Sequence, residues 1–269
     1  MRTKSLAAPY IVWMVIFTVV PLAMVAYFAF TTSSGEFTLA NMARASEYLP
    51  VLLRSVWYAL AACVICLIIG YPVAYVIAQT SASTQRVLYL LVTLPMCMSF
   101  LLRTLAWVAL LRDTGIINTL LAGLGIGPLP LIRNAGSVIM GMVYTYLPYM
   151  IMPLYTVISK LDPRLIEAAQ DLGCDSAQVF RRVVLPLSMP GIVSGITMVF
   201  VPAVSTFYIS QKLGGTNNTM IGDVIELQFK GSLNRNFGAA MSLVLMLLVF
   251  VSIWLMNRFT DDEEGVATI

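Results

Sequence analysis

The sequence contains no histidine in its 269 residues. Histidine is the side chain whose charge changes near neutral pH, so its absence removes the usual general base and the commonest metal ligand. A Ser-His-Asp arrangement is excluded for the same reason. Charged residues are also scarce, at 11% of the chain, and the formal net charge is only +3. This composition argues against hydrolytic catalysis and against a nucleic-acid partner.

Cofactor motifs are lacking as well. Cys63 and Cys66 have CxxC spacing, but they lie in an apolar run without a second ligand pair, so small buried side chains explain them better. The stretch GLGIGP, residues 123–128, neither follows a strand nor opens a βαβ unit, and it is interpreted as a turn. A GxxxxGK[ST] phosphate loop is also missing. We therefore expect no metal and no cofactor in this chain, and any ATP must be bound by another chain.

Long apolar runs dominate what is present. Hydrophobic residues make up 59% of the chain, and the mean hydropathy is +0.87. A helix that crosses a bilayer needs about 20 apolar residues. The pattern predicts an all-α integral membrane protein, with residues 1–269 forming a single transmembrane domain surrounded by lipid. Its six spans are placed at about 8–30, 51–78, 87–111, 136–158, 185–208 and 238–256.

The orientation of these spans is only weakly encoded in the charges. The first run is expected to remain as a span, because its apolar core, residues 10–30, is longer than the about 7–15 residues of a signal peptide. Six spans place both termini on one side of the membrane. Lysines and arginines divide almost evenly between the two sides, so the positive-inside rule barely discriminates between the two orientations. The basic start of the chain favours a cytoplasmic N terminus.

A charged stretch at residues 167–192 interrupts the hydrophobic pattern between the fourth and fifth apolar runs. Upstream, Asp162 and Pro163 predict the start of a short amphipathic helix, and Gly173 predicts its end, since glycine suits the left-handed position after a helix. Asp175 predicts the cap of a second helix. The stretch should thus form two short helices outside the membrane. By periodicity alone, a helix pair lying at the lipid headgroups explains it as well as a partner-binding element does.

The spacing within this stretch resembles the EAA loop of permease subunits in binding-protein-dependent ABC importers. Their pattern is EAA, three residues, G, nine residues, then I-x-L-P, and here valine replaces the isoleucine at position 183. Further along the chain, SFLLRTLAW (99–107), FYISQKLGG (207–215) and MIGDVI (220–225) are similar to permeases of spermidine/putrescine importers. In that branch an acidic residue is common where Gln211 stands. The matching loop residues here are Glu167, Ala168, Ala169, Gly173, Leu185 and Pro186.

The resemblance implies a type I ABC importer permease (MetI-like) fold of six transmembrane helices, with a cytoplasmic coupling helix in a loop at residues 160–186. Those six loop residues would then couple this subunit to an ATPase. The implied partners are a second permease forming a heterodimer, two cytoplasmic ABC ATPases that carry ATP and Mg²⁺, and an extracytoplasmic substrate-binding protein. The implied location is the bacterial inner (plasma) membrane, with both termini cytoplasmic and no catalysis in this chain.

Candidate residues for a substrate pathway or gate fall in two regions. A charge near the bilayer centre costs about 2.5–3.5 kcal/mol, so Arg103 should face the bundle, a partner or water, unless it snorkels to the interface. Phe207 and Tyr208 suit either an interfacial aromatic belt or a gate offering cation-π contact. Asp223 and Glu226 suit either a cation-attracting pair or solvated acids. The full candidate set is Arg103, Phe207, Tyr208, Gln211, Lys212, Asp223 and Glu226.

The leading functional hypothesis is a permease that forms, with a second permease, the pathway for ATP-driven polyamine uptake. Within the same class, the cargo could instead be another small solute such as ferric iron or thiamine. A stand-alone channel or secondary transporter is the alternative from a different class, but it would have no use for the EAA loop.

Overall fold

The computed structural model describes residues 9–264 except 11 and 233. The start of the predicted first span, at residue 8, and both chain ends lie outside the described residues. The described part is helical throughout, apart from connecting loops and one antiparallel bridge between Thr31 and Phe37. The helices are α1 (Val12–Ala29), α2 (Ala40–Ser46), α3 (Leu49–Gln79), α4 (Ala82–Thr93), α5 (Phe100–Leu111), α6 (Ile116–Gly123), α7 (Ala135–Ile158), α8 (Pro163–Asp171), α9 (Ser176–Leu187), α10 (Met189–Ser205), α11 (Ile221–Leu227) and α12 (Arg235–Glu264).

Four of these helices are long and apolar enough to cross a membrane. They are α1, α3, α7 and the Arg235–Met256 part of α12. Two further segments pass the same test only as bent pairs: Ala82–Cys97 with Phe100–Gly123, at 88°, and Ser176–Leu187 with Met189–Ser205, at 63°. The described residues therefore contain four candidate spans, or up to six if each bent pair crosses once.

The bends lie where prolines interrupt the helices. In the predicted span 87–111, Pro95 lies in a 3₁₀ turn, and the next residue after that turn, Met98, has an extended backbone. Proline lacks an N–H and cannot continue the helical hydrogen-bond ladder, so this run folds as two helices at nearly a right angle. In the predicted span 185–208, the bend lies at Ser188, so Leu185 and Pro186 belong to the shorter helix α9.

Helices α3, α7 and α10 form the centre of the bundle. Apolar helices gain little by leaving lipid for one another, so close van der Waals packing has to hold them together. Small residues allow that approach around Met150 of α7. A β-carbon added at Gly195 would lie 2.6 Å from the Met150 sulfur, and one at Gly70 would lie 3.2 Å from its Cγ. A side chain at Gly195 would therefore displace the Met150 sulfur, and one at Gly70 would require its neighbours to shift by a few tenths of an ångström.

The cysteine pair is part of this packing. Cys63 and Cys66 are buried in α3, and their sulfurs contact the Ile196 and Val143 carbonyls of neighbouring helices at 4.0 and 3.7 Å. Within residues 9–264, apart from 11 and 233, no group of three or more His, Cys, Asp or Glu is arranged to hold a metal ion. The CxxC spacing places two small side chains on the buried face of one helix.

The flanks of the bundle expose large apolar side chains. Trp57 and Ile68 on α3 and Trp254 on α12 are largely exposed, and the side chains of α1 are exposed along most of its length. Water-soluble proteins rarely expose contiguous apolar surface on this scale. These flanks suit lipid or another membrane subunit.

Candidate functional site

The predicted helix pair lies between α7 and α10 and is capped as its sequence predicts. The Asp162 side chain accepts a hydrogen bond from the backbone N–H of Arg164 at 3.0 Å, at the start of α8. The Asp175 side chain accepts one from the N–H of Gln178 at 2.7 Å, at the start of α9. Each cap satisfies a donor that a helix start leaves free.

A sharp turn at Gly173 joins the two helices. Its φ is +86°, a conformation that L side chains rarely adopt. The Gly173 N–H donates to the Gln170 carbonyl at 2.8 Å, and the Cys174 N–H donates to the Ala169 carbonyl at 3.1 Å. This pair of bonds is the Schellman arrangement that closes a helix end. A β-carbon at Gly173 would meet nothing within 4 Å, so the constraint here is backbone conformation and not crowding.

Helix α8 leaves both its charged and its apolar side chains available. Leu172, just after its last turn, is 86% exposed, and Leu165 is also exposed. Glu167 is exposed and makes no side-chain hydrogen bond or ion pair with the described residues. The surface is therefore free to bind another molecule. The residues predicted for coupling all lie in the segment from α8 to α9: Glu167, Ala168, Ala169, Gly173, Leu185 and Pro186.

In contrast, α9 is anchored to the bundle. Its Phe180 ring packs edge-on against Tyr71 and Tyr75 of α3, with ring centroids 5.5 and 6.0 Å apart. At the bend that follows, the buried Ser188 hydroxyl shares a 2.7 Å hydrogen bond with the Tyr71 hydroxyl. A force applied to α8 can thus reach α3 through Phe180 and α10 through Ser188.

A second site lies after the other end of α10. Asp223 on α11 is only 8% exposed, and its carboxylate accepts hydrogen bonds from the Ser210 hydroxyl at 2.9 Å and the Met220 N–H at 2.7 Å. Burial raises the pKa of Asp223 from 3.8 to about 6, the Glu226 carboxylate adds to the rise, and the two hydrogen bonds oppose it. A carboxyl group poised near neutral pH in this way is typical of functional sites.

Glu226 lies one turn further along and has two polar partners. Its carboxylate accepts hydrogen bonds from the Gln211 amide and from the Lys230 ammonium, the latter at 2.5 Å. The hydrogen bond from Lys230 lowers the pKa of Glu226, so this acid is ionised when Asp223 begins to protonate. The Lys230 nitrogen also lies 5.9 Å from the centre of the Phe207 ring. A carboxylate and an aromatic face thus hold one primary ammonium group between them.

Two cavities open onto this acidic cluster, which we define as Gln211, Asp223 and Glu226 with Lys230. One has a volume of about 500 Å³ and is lined by all four residues, and the other, of about 570 Å³, is lined by Phe207, Glu226 and Lys230 among others. Glu226 and Lys230 therefore lie at the boundary between the two cavities.

Helix α3 holds the loop that carries this cluster. The Arg54 guanidinium donates to the carbonyls of Asn217 and Thr219 at 2.7 and 2.5 Å. The Tyr58 hydroxyl donates to the Asn218 side chain at 2.7 Å, and the Ser55 hydroxyl accepts from the Ile221 N–H at 2.8 Å. None of the three α3 residues was a sequence candidate. The available signal was three polar side chains at i, i+1 and i+4 near the start of an apolar run.

The other predicted pathway residues lie apart from the cluster. Tyr208 packs against Phe100, and the Lys212 ammonium lies 5.6 Å from the centre of the Tyr208 ring. Arg103 on α5 is 8% exposed, and its Nε and Nη1 atoms have no hydrogen-bond partner among the described residues. This arginine faces the protein interior, whereas a snorkelling side chain would reach the surface.

Comparison with known proteins adds to these observations. Residues 67–262 match the family model described as the binding-protein-dependent transport system inner membrane component. The spermidine/putrescine transport system permease protein PotB of Haemophilus influenzae is 38% identical over 256 residues, which are 91% of this chain and 90% of the relative.

Solved structures show the same fold. A chain of a bacterial alginate ABC transporter, in complex with an alginate pentasaccharide-bound periplasmic protein, aligns with a TM-score of 0.77 at 18% identity and covers 96% of this chain and 93% of its own length. A chain of the MetNI methionine ABC transporter, in an inward-facing conformation, gives 0.59 at 19% identity over 81% of this chain and 98% of its own length. The predicted all-α, MetI-like permease fold is confirmed. The chain belongs to the family of inner membrane components of binding-protein-dependent transport systems.

Proposed function

We propose that this chain, a non-catalytic permease subunit of an ABC importer, pairs with a second permease to form a pathway for polyamines such as spermidine and putrescine. The name of the 38% identical relative supports this cargo. Within the molecule, the observation that carries the proposal is the position of Lys230. Its primary ammonium lies against the Glu226 carboxylate and the Phe207 ring, and these are the groups that would bind the ammonium end of a polyamine.

The proposed partners bind near the opposite ends of α10. Of the two cytoplasmic ATPases, which hold ATP and Mg²⁺, one would bind the exposed surface of α8 and the other the matching helix of the second permease, and both helices would move when the ATPases close. That motion would pass through Phe180 to α3 and through Ser188 to α10, and then to the loop after Ser205. An extracytoplasmic binding protein would deliver the cargo there. The transport cycle needs a switch between two arrangements of packed helices and no chemistry on the cargo.

The proposed orientation follows from the coupling loop. If α8 meets a cytoplasmic ATPase, both chain termini are cytoplasmic and residues 112–135 and 209–237 face outward. The acidic cluster then lies on the side from which cargo arrives.

The function is tested by uptake in cells that express the complete transporter and have no other polyamine uptake system. We expect saturable uptake of labelled spermidine or putrescine that disappears when this chain is deleted, and an excess of thiamine should not compete. Uptake of thiamine or iron with neither polyamine transported would contradict the proposed cargo.

Uptake should also depend on pH through Asp223. Because burial raises its pKa to about 6, this acid is charged at pH 7.5 and largely neutral at pH 5. Polyamine amines stay protonated over this range, so only the attraction from the protein changes. We expect the uptake rate at constant polyamine concentration to fall as the external pH falls through about 6.

Protonation of Asp223 changes the stability of the folded chain in the opposite direction to the uptake rate. The folded pKa lies above the 3.8 of the unfolded chain, so the folded protein binds the extra proton between the two values and gains stability as the pH falls through this window. A loss of uptake near pH 6 would therefore not come from unfolding through Asp223.

The Asp223→Asn variant should flatten the pH profile of uptake, whereas Glu36→Gln, a change at an exposed acid elsewhere, should leave it unchanged. A profile that survives in Asp223→Asn would contradict the assignment.

A further inference from the structure

The acidic cluster has a basic neighbour. A cavity of about 470 Å³ shares Gln211 with the cluster and is otherwise lined by Val108 of α5, by residues of the loops before α6 and α7, and by Lys212 and Gly215. We define the basic pocket by its three cations, Arg112, Arg133 and Lys212, which face this cavity together with one acid, Asp113.

The three cations of the basic pocket outnumber its one acid, and none of them forms an ion pair among the described residues. Lys230 and Glu226 form the one ion pair in the part of the chain that the structure describes, so Asp113 pairs with none of the three cations. All three cations are exposed. Three like charges around one concave surface create a field that attracts anionic groups and repels cations.

The backbone of Arg133 is fixed at the edge of this pocket. Its φ is +64°, and within residues 9–264, apart from 11 and 233, every other positive-φ residue is glycine. Its N–H donates to the Leu213 carbonyl at 2.7 Å, and a β-carbon added at Gly215 would lie 3.0 Å from the Arg133 Cβ. Asn134, the next residue, caps α7 by accepting from the Ser137 N–H at 2.8 Å. Glycine would adopt this backbone at lower cost but would remove the cation from the pocket.

The charge of the pocket restricts what can occupy it. A polyamine is a polycation, so the basic pocket repels the proposed cargo and does not suit its path, although Lys212 is one of the sequence candidates for that path. We propose that it receives carboxylate side chains of an acidic loop on the extracytoplasmic substrate-binding protein, which would place that protein's cargo over the neighbouring acidic cluster. This inference rests on the proposed function, because it requires a binding protein and an outward-facing loop at residues 112–135.

The chemistry suits a docking contact. Arginine presents a planar fork that binds a carboxylate through two parallel hydrogen bonds, and two arginines with a lysine can hold more than one acid. Charged contacts at the rim of an interface act mainly on the association rate and on its salt dependence. The basic pocket would therefore set the speed and orientation of docking, while Gln211 marks the border with the cargo side.

The test is binding of the system's own substrate-binding protein to the assembled transporter in lipid nanodiscs, measured at several salt concentrations. The variants are Arg133→Gly, which removes the cation at a backbone position that glycine favours, and the double charge reversal Arg112→Glu with Lys212→Glu. The matched control is Arg235→Glu, an exposed arginine that begins α12. Both pocket variants should weaken binding at low salt, by about tenfold for the double reversal, and flatten its salt dependence, whereas the control should bind as wild type does.

The possible outcomes separate the two proposals. If wild-type transporter fails to bind the binding protein in any loading state, the importer function itself is wrong. If wild type binds and the pocket variants bind equally well, only the docking role is wrong. Lipid phosphate is the other anion with the right charge for the basic pocket. The measurement is therefore repeated in nanodiscs with and without anionic lipid. A pocket that serves lipid phosphates would make the variants change the lipid dependence and leave the affinity for the binding protein unaltered.

Discussion

Glu167→Lys should abolish cargo uptake while leaving the chain folded in the membrane. The side chain is exposed and makes no hydrogen bond or ion pair with the described residues, so the substitution breaks no contact within the subunit. If α8 binds an ATPase, the reversed charge is buried against that partner and costs about 2–5 kcal/mol, or at least about 30-fold in coupling. The measurement is the uptake rate in proteoliposomes at equal amounts of assembled subunit, with thermal stability recorded in parallel.

Substitutions at Gly173 test the geometry of the turn separately from the charge of Glu167. Gly173→Val forces a branched side chain into a left-handed conformation, at a cost of about 1–2 kcal/mol, and should also lower uptake. Asparagine tolerates this conformation, so Gly173→Asn should retain much of the activity. Because a β-carbon meets nothing within 4 Å, crowding cannot explain a difference between the two variants. Wild-type uptake in both Glu167→Lys and Gly173→Val would remove the coupling role.

Glu226→Lys should raise the KM for polyamine at least about tenfold, because it replaces an attracting carboxylate by a second ammonium beside Lys230. Lys230→Gln should have the opposite effect. Its side chain is 74% exposed, and an exposed pair at this spacing is worth about 0.3–0.5 kcal/mol, so freeing Glu226 should lower the KM about twofold.

The pair of variants distinguishes a cargo site from a surface ion pair. If Glu226 and Lys230 formed only a structural ion pair, replacing either residue would change the KM in the same direction or not at all. Glu47→Lys, at an exposed acid after α2, is the matched control for the charge reversal and should leave the KM unchanged. A KM that does not respond to Glu226→Lys would contradict the proposed contact with cargo, as would a KM that rises in Lys230→Gln.

Local signals predicted the caps and the turn of the helix pair α8 and α9 in detail. Asp162, Asp175 and Gly173 each act on backbone groups within a few residues, so their roles can be derived without knowledge of the rest of the fold. Hydropathy predicted the apolar runs but not their shape. Pro95 accounts for the break within residues 87–111, but the angle of that bend, 88°, depends on what the two halves pack against and has no signal in hydropathy.

The acidic cluster could be predicted only as a set of residue types. Asp223 and Glu226 were recognisable as two acids three residues apart, but the hydrogen bond from Gln211 and the burial of Asp223 depend on how the intervening loop is held. That loop is fastened by Arg54 and Tyr58, about 160 residues earlier in the chain. Polar contacts at such a separation leave no periodic pattern in the sequence, which is why the α3 residues were missed. Arg133 was missed because nothing in its neighbours signals a left-handed arginine.

In the proposed mechanism, cargo arriving at the acidic cluster is coupled through α10 and α8 to ATP hydrolysis on a partner. The most direct measurement is the ATPase activity of the purified complex in liposomes, with its binding protein either empty or loaded with spermidine or putrescine. We predict that a loaded binding protein stimulates hydrolysis, and that Glu167→Lys removes the stimulation while the complex stays assembled. If neither polyamine stimulates hydrolysis while another loaded solute does, the polyamine account is wrong.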